Sequence, residues 1–276
     1  MNIRYQEYSP GAALQPYVDS YWSMHFDGPA GIEAPEQRCL PLGMLELIFH
    51  LDDKYYEATI DGRNHILPPS FIAGMYPIPV SWKTESGARL FGIRIKPECL
   101  MELFRVPVSA LFGEFTDMES FFGKDINRLS DSMQAAADVG SRIRLAESFL
   151  LEHLRHRQSE RNYVLEATRL IRQSKGNISL DDLSDRIFIS PRQLQRSFKD
   201  NMGTSPKTYM RIIRFRNAYH HVQHEKEDLN WARVSYHFGY SDQAHFIRDF
   251  KQFTGKAPSF VVNEQSSFYQ LTSQLV

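Results

Sequence analysis

The chain has 276 residues, of which 42% are hydrophobic and 24% charged, and its formal net charge at pH 7 is −1. A length of this order suggests two domains with a core each, and the composition is that of an ordinary soluble globular protein. No run approaches 18 apolar residues, which excludes a membrane-spanning helix, and two cysteines are too few for a disulfide framework or a zinc cluster.

The first residues, MNIRYQEYSPG, lack the apolar stretch of a secretory signal, so none is expected. Cys39 and Cys99 are expected as buried thiols in a reducing cytoplasm, not as a disulfide. The near-neutral total hides an asymmetry. Residues 160–262 hold 17 Lys and Arg against 11 Asp and Glu, while the rest of the chain holds 15 against 22. A basic half joined to an acidic half suggests a polyanion-binding module carried by a domain that does not bind polyanions.

From Met1 to about Lys96, short β-rich runs alternate with turn signals. Strands are predicted at 17–26, 44–51, 55–60, 71–75, 79–84 and 89–95, punctuated by Gly28-Pro29, Asp52-Asp53, Asp61-Gly62 and Pro68-Pro69. Strands this short at this spacing favour a small barrel or sandwich. From Pro97 the apolar period becomes helical, which predicts helices at 97–104, 108–112, 125–137 and 139–156. The last carries Val139, Ile143, Ala146, Leu150 and Leu154 on one stripe, to pack on its own domain or against a second subunit. The polar run EHLRHRQSERN from Glu152 holds the boundary, dividing the chain into 1–156, 157–265 and a tail of 266–276.

The second half contains a stretch written twice. Ser190 to Pro206, shifted by 52 residues, falls on Asp242 to Pro258, with Arg196 on Arg248, Phe198 on Phe250, Lys199 on Lys251 and Gly203 on Gly255. One offset held over 17 positions means one supersecondary unit used twice. Each copy starts at an N-cap residue, Ser190 or Asp242, whose side-chain oxygen can accept from the first-turn amides. Each turns apolar residues at i and i+4 inward, Leu194 with Phe198 and Phe246 with Phe250, and ends at a glycine with a proline three residues on. A shorter helix and a tight turn precede each copy, the turns being Phe188-Ile189 and Gly239-Tyr240. The chain therefore carries two helix-turn-helix units joined by a helix from about Pro206 to Val222.

These segments, LSDRIFISPRQLQRSFKDNMGTSP and VSYHFGYSDQAHFIRDFKQFTGKAP, resemble the paired helix-turn-helix domain of AraC/XylS-family transcription regulators over about 162–262. Ser184 and Ser235 stand where that family usually has alanine, and a hydroxyl there is expected to bond back to the preceding turn. Less specifically, the runs LQPYVDSYW, LPLGMLELIFHL, FIAGMYPIPVSW and LFGIRIKPECLMELFRVP are similar to the cupin-like N-terminal domain of a subset of these regulators, over about 1–155. The fold implied is α+β: a small cupin-like β-barrel with a helical tail, then an all-α double helix-turn-helix. The resemblance implies a cytoplasmic regulator that binds double-stranded promoter DNA, works with RNA polymerase and forms a homodimer. Its first domain would sense a small-molecule effector or hold the dimer together.

An α-helix fits the major groove of DNA, with its N-terminal half facing base edges. Leu194 and Phe198 face the core, which leaves Arg192, Gln195 and Arg196 outward, and the resemblance places these at bases. Arg can bridge guanine O6 and N7, and Gln can pair with adenine. The matching positions of the second copy are Gln243, His245, Ile247 and Arg248, with Ile247 suited to a thymine methyl. Arg248 has a second reading, as a tie from this unit to the connecting helix through an acid such as Glu225. Lys199, Lys207, Arg211, Arg214, Lys251 and Lys256 are expected at phosphates. The first recognition helix is expected to read bases more strongly, because the second sets its Gln and Arg beside short or apolar neighbours.

In the first half, Tyr17, Tyr21, Trp22, Phe49, Tyr76, Trp82 and Phe91 are candidates to line a ligand pocket, though filling the core is their commoner use. Tyr17 and Tyr21 share one face of a strand and Trp22 takes the other, so at most one set is expected to line an interior. A cupin-type enzyme would need clustered His and carboxylate ligands. His25, His50 and His65 are scattered, only Glu46 stands near His50, and no phosphate-cradling or nucleophile motif is present. No metal, cofactor or catalytic residue is therefore expected.

Overall fold

The computed structural model describes residues 2–60, 62–155, 162–225 and 229–259. They form two compact units that part between 155 and 162, with the short segments Leu40–Gly43 and Tyr76–Pro79 grouping with the second. The boundary expected at 156–157 and the tail from 266 lie outside the described residues.

The strands of the first unit are β1 (Asn2–Tyr8), β2 (Val18–Asp27), β3 (Gln37–Cys39), β4 (Leu45–His50), β5 (Tyr56–Ile60), β6 (Arg63–Ile66), β7 (Ser70–Ala73), β8 (Val80–Thr84), β9 (Arg89–Ile95) and β10 (Phe115–Asp117). They pair antiparallel into a six-stranded sheet, β1-β2-β9-β4-β7-β10, and a four-stranded sheet, β3-β8-β5-β6. Among the described residues no strand pairing joins these two sheets, so the small barrel or sandwich expected from the sequence is present as two facing sheets without detected closure. A π-helical turn (Cys99–Leu103), a 3-10 turn (Val108–Leu111) and helices α1 (Met118–Phe122), α2 (Asp125–Ala135) and α3 (Val139–Arg155) complete the unit.

Register sorts the side chains of the large sheet, because successive residues of a strand point to opposite faces. Tyr21 lies across from Ile93 and Phe49 across from Phe91 on one face, while Trp22 lies across from Gly92 on the other. The Trp22 face meets the small sheet: Phe26 sits edge-on to Trp82 at 5.6 Å, and His50 stacks on Tyr56 at 3.6 Å between centroids. On the opposite face, Tyr17 donates to Glu102 of the π-helical turn at 3.0 Å. Tyr21 and Trp22 are both buried. The expectation that one set at most lines an interior is thus corrected, since helical turns cover the face that a plain sandwich leaves wet. Gly92 is required by this packing, because a Cβ there would lie 2.0 Å from the Trp22 indole.

One charge is held inside the Trp22 face. Arg94 donates to Glu7 at 2.7 Å, Glu46 at 2.9 Å, the Tyr5 hydroxyl at 3.1 Å and Ser20 at 3.2 Å. Tyr5 donates in turn to Glu7. The guanidinium on β9 therefore clamps β1, β2 and β4 together.

His50 gives the first testable consequence. It is 3% exposed, and burial pushes its imidazole down to about 3. In the unfolded chain the ring titrates near 6.5. Only the unfolded chain takes up a proton between these values, so the stability from this site is complete above pH 6.5 and drains away as pH falls toward 3. Between pH 7 and pH 5 the expected loss is about 2 kcal/mol. Urea unfolding of wild type at both values, beside His50→Gln, measures it; a wild type whose loss matches that of the variant would refute the assignment.

The second unit is helical: α4 (Tyr163–Gln173), α5 (Leu180–Ile187), α6 (Pro191–Met202), α7 (Pro206–His224), α8 (Trp231–His237) and α9 (Gln243–Thr254). Each start is set locally. Asn162, Ser179, Ser190, Ser205, Asn230 and Asp242 accept from first-turn amides, and Pro191 and Pro206 occupy first helical positions where no amide is needed. Gly203 and Gly255 close α6 and α9 in the left-handed region at φ 73° and 75°. Ser184 and Ser235 bond back to Leu180 and Trp231 carbonyls at 2.8 and 2.6 Å, as the sequence suggested. Helix α7, at 19 residues, is about 28 Å long. Its Ile212, Phe215, Ala218, Tyr219 and Val222 pack with Val234, Phe238, Phe246, Phe250 and Phe253 of the second helix-turn-helix.

Candidate nucleic-acid interface

Helix α6 is divided lengthwise by its sequence. Leu194, Phe198 and Met202 are fully buried at spacings of four, which leaves the other flank in solvent. Arg192, Gln195 and Arg196 are exposed on that flank, and their side chains make no hydrogen bond or ion pair among the described residues. The N-cap of Ser190 fixes the helix start, accepting from the Gln193 amide at 3.2 Å. Three base-complementary side chains are therefore displayed on a rigid support.

Helix α9 repeats the frame with different content. Phe246, Phe250 and Phe253 are fully buried, and Gln243, Ala244 and Arg248 are exposed. Asp242 caps the helix, and the His245 amide that it accepts holds its carboxyl below the usual carboxylate range. His245 is half-buried, with Nδ1 3.2 Å from Ser241 Oγ and its ring edge-on to Tyr240. Ile247 is partly buried against the aromatic core, which corrects the outward placement expected of it: the face that α8 and Trp231 cover is wider than the i, i+4 pair alone suggests.

The tie between the second helix-turn-helix and the connecting helix exists, but not through Arg248. Glu225 pairs with His221 at 3.5 Å on its own helix. The neighbouring Asp249, 3% exposed at its side chain, accepts from Arg211 of α7 at 2.7 Å, and Arg211 also donates to Gln252 at 2.6 Å. Arg214, one turn along, donates to the Gly176 carbonyl at 2.9 Å and lies 5.3 Å over the Tyr240 ring. Lys199 donates to the Gly203 carbonyl at 2.8 Å, closing its own helix. Lys199, Arg211 and Arg214 thus have protein partners although all were expected at phosphates, because long side chains near a helix end or a packed neighbour find acceptors there first. Lys207, Lys251 and Lys256 are exposed. Sequence reasoning missed Asp249 as an anchor, although an acid inside an otherwise aromatic helix face was a usable signal.

The aromatic candidates of the first unit do not gather around one point. Tyr17, Tyr21, Phe49 and Phe91 lie on the helix-covered side of the large sheet, while Trp22 and Trp82 lie between the two sheets. Among the described residues, no three His, Cys, Asp or Glu side chains come together as a metal set. Glu46 is engaged by Arg94, away from the stacked His50. Cys99 is buried, which pushes its thiol up, and Cys39 is half-exposed, with neither in a disulfide. No helix of the described residues is long and apolar enough to cross a membrane.

A family model described as a helix-turn-helix domain matches residues 183–263, and a domain of unknown function (DUF6597) matches residues 6–117. The Msm operon regulatory protein of Streptococcus mutans is 24% identical over 153 residues, covering 55% of this chain and 54% of that protein. The HTH-type transcriptional activator RhaS of Escherichia coli is 27% identical over 126 residues, covering 46% of this chain and 44% of that one. The chain spans about half the length of these curated relatives. Among solved structures, ToxT from Vibrio cholerae aligns over 95% of this chain and 98% of its own, at 10% identity and a TM-score of 0.48.

Proposed function

We propose that the chain is a sequence-specific transcription regulator of the AraC type, reading promoter DNA with α6 and α9, a reading that the matched helix-turn-helix domain supports. The observation that carries the reading is the state of α6: Arg192, Gln195 and Arg196 stand exposed and uncommitted on one flank while the other flank is buried. An arginine with a free fork suits guanine, and a free glutamine suits adenine. Helix α9 contributes Gln243 and Arg248, with His245 and Ile247 held partly by its own domain. Phosphates are met by Lys207, Lys251 and Lys256, with Lys199 able to join by leaving its helix end. The basic balance of this half supports the same partner.

In this reading the first domain governs the second, by binding a small-molecule effector or by holding a homodimer. The protein acts in the cytoplasm beside its DNA, by binding and not by catalysis. RNA polymerase is its partner at the promoter, and the names of both relatives support regulation, with activation as the expected sense.

A bidentate base contact discriminates by ~1–3 kcal/mol, so Arg196→Ala should bind the preferred sequence roughly ten- to a hundredfold more weakly and lose preference at one base pair. Non-specific binding should barely change. The check is titration of the full chain with a duplex selected from a random library and with its single-base variants. If Arg196→Ala keeps the wild-type preference while Arg248→Ala abolishes it, α9 and not α6 is the main reader.

A further inference from the structure

The turn of the first helix-turn-helix holds a residue that local energetics disfavours twice over. Phe188 ends α5 in the left-handed region, at φ 59° and ψ 43°, and is 83% exposed. A side chain in that conformation crowds its own backbone, and glycine is the residue that escapes the crowding. A large apolar ring in water gains nothing in return.

The second helix-turn-helix shows the relaxed solution at the corresponding place. Gly239 has φ 71°, and the same turn bond follows in each unit, Ile189 to the Ser184 carbonyl at 3.2 Å and Tyr240 to the Ser235 carbonyl at 3.0 Å. There the glycine is also a spatial need, since a Cβ at 239 would lie 2.5 Å from Asn177 Oδ1. The first turn is open, so it could hold glycine without cost and holds phenylalanine instead.

The position of Phe188 suggests what it meets. It stands two residues before Ser190, the N-cap of α6, so it lies within about 7 Å of that helix start. A recognition helix enters the major groove with its N-terminal residues, and the duplex presents thymine methyls and deoxyribose edges where it enters. We propose that Phe188 is a further DNA-contacting residue, packing its ring on the thymine methyl and sugar surface at the mouth of the groove that α6 enters. The proposal rests on the DNA-reading function above and adds an apolar contact to the polar ones of Arg192, Gln195 and Arg196. Such a contact displaces no counterion, so it leaves the salt dependence of binding as it was, unlike a lysine at phosphate.

The test uses the full chain, as wild type, Phe188→Leu and Phe188→Gly, with the duplex that wild type selects from a random library. Affinity is measured across a salt series, with thermal melts and sedimentation alongside. Phe188→Gly is expected to bind roughly tenfold more weakly at every salt concentration, with an unchanged slope and a melting temperature equal to or above wild type. Phe188→Leu should fall between. Equal affinity of wild type and Phe188→Gly overturns the inference. So does a change of sedimentation without loss of affinity, which would make the ring a self-association contact. A wild type that selects no sequence overturns the DNA-reading function itself, a result separable from either.

Discussion

Arg94→Met is expected to cost about 3–5 kcal/mol of stability, the largest effect of any substitution considered in the first domain. The side chains of Glu7 and Glu46 are 12% and 15% exposed, and both accept from this one guanidinium. Removing it leaves two carboxylates inside the sandwich with no cation, and Ser20 and Tyr5 lose a donor as well. A buried charge deprived of its partner costs more than the pair ever contributed, because the desolvation has already been borne. The damage should concentrate on β1, an edge strand that hydrogen-bonds to β2 alone and whose Tyr5 and Glu7 are its grip on the interior. Urea unfolding of the variant checks the size of the loss. Adding Glu7→Gln and Glu46→Gln should restore much of it; a triple variant as unstable as the single one would show that lost packing, not stranded charge, was the cause.

Arg211→Met should follow at about 2–4 kcal/mol, placed lower because one end of this pair is wetter. Asp249 has a side-chain exposure of 3%, whereas that of Arg211 is 34%. The bond joins α7 to α9 across 38 residues of sequence, so losing it strands Asp249 and loosens the second recognition helix together. Thermal melts should show the stability loss, and DNA affinity should fall with it. Asp249→Asn in the same chain should recover part of the stability. A variant that melts like wild type would mean that water or Gln252 serves Asp249 equally well.

What could be read from sequence was local in origin. The N-caps, the left-handed glycines and the i, i+4 apolar pairs act within one turn, so α6 and α9 were legible to within a residue. The β-rich runs bounded by turn signals were legible too, as β4, β5, β8 and β9 attest. Strand β1 was missed because its sequence, NIRYQEY, is largely polar, and its burial comes from Arg94 on a distant strand. The three-residue strands β3 and β10 are too short to carry a period. The fate of the cations was illegible for a different reason. An arginine reads alike whether it awaits phosphate or grips a carboxylate, and the partner of Arg211 becomes adjacent only once α9 has docked. Ile247 failed in the same way, since the width of a buried face depends on the neighbour that covers it.

Helix α7 is a ruler, and its length has a bearing on bases that no side chain reaches. Its start is fixed by the Ser205 cap, and its middle is fastened by Arg211 and Arg214, so it has little freedom to slide. A ruler of about 28 Å is shorter than the ~34 Å turn that separates successive major grooves on one face of straight B-DNA. On the proposed function, the rest of the span is supplied by the loops at either end of α7 and by curvature or twist of the duplex. Flexible pyrimidine–purine steps yield cheaply and stiff adenine tracts do not. The spacer between the two half-sites then acquires a sequence preference of its own, written in the mechanics of DNA.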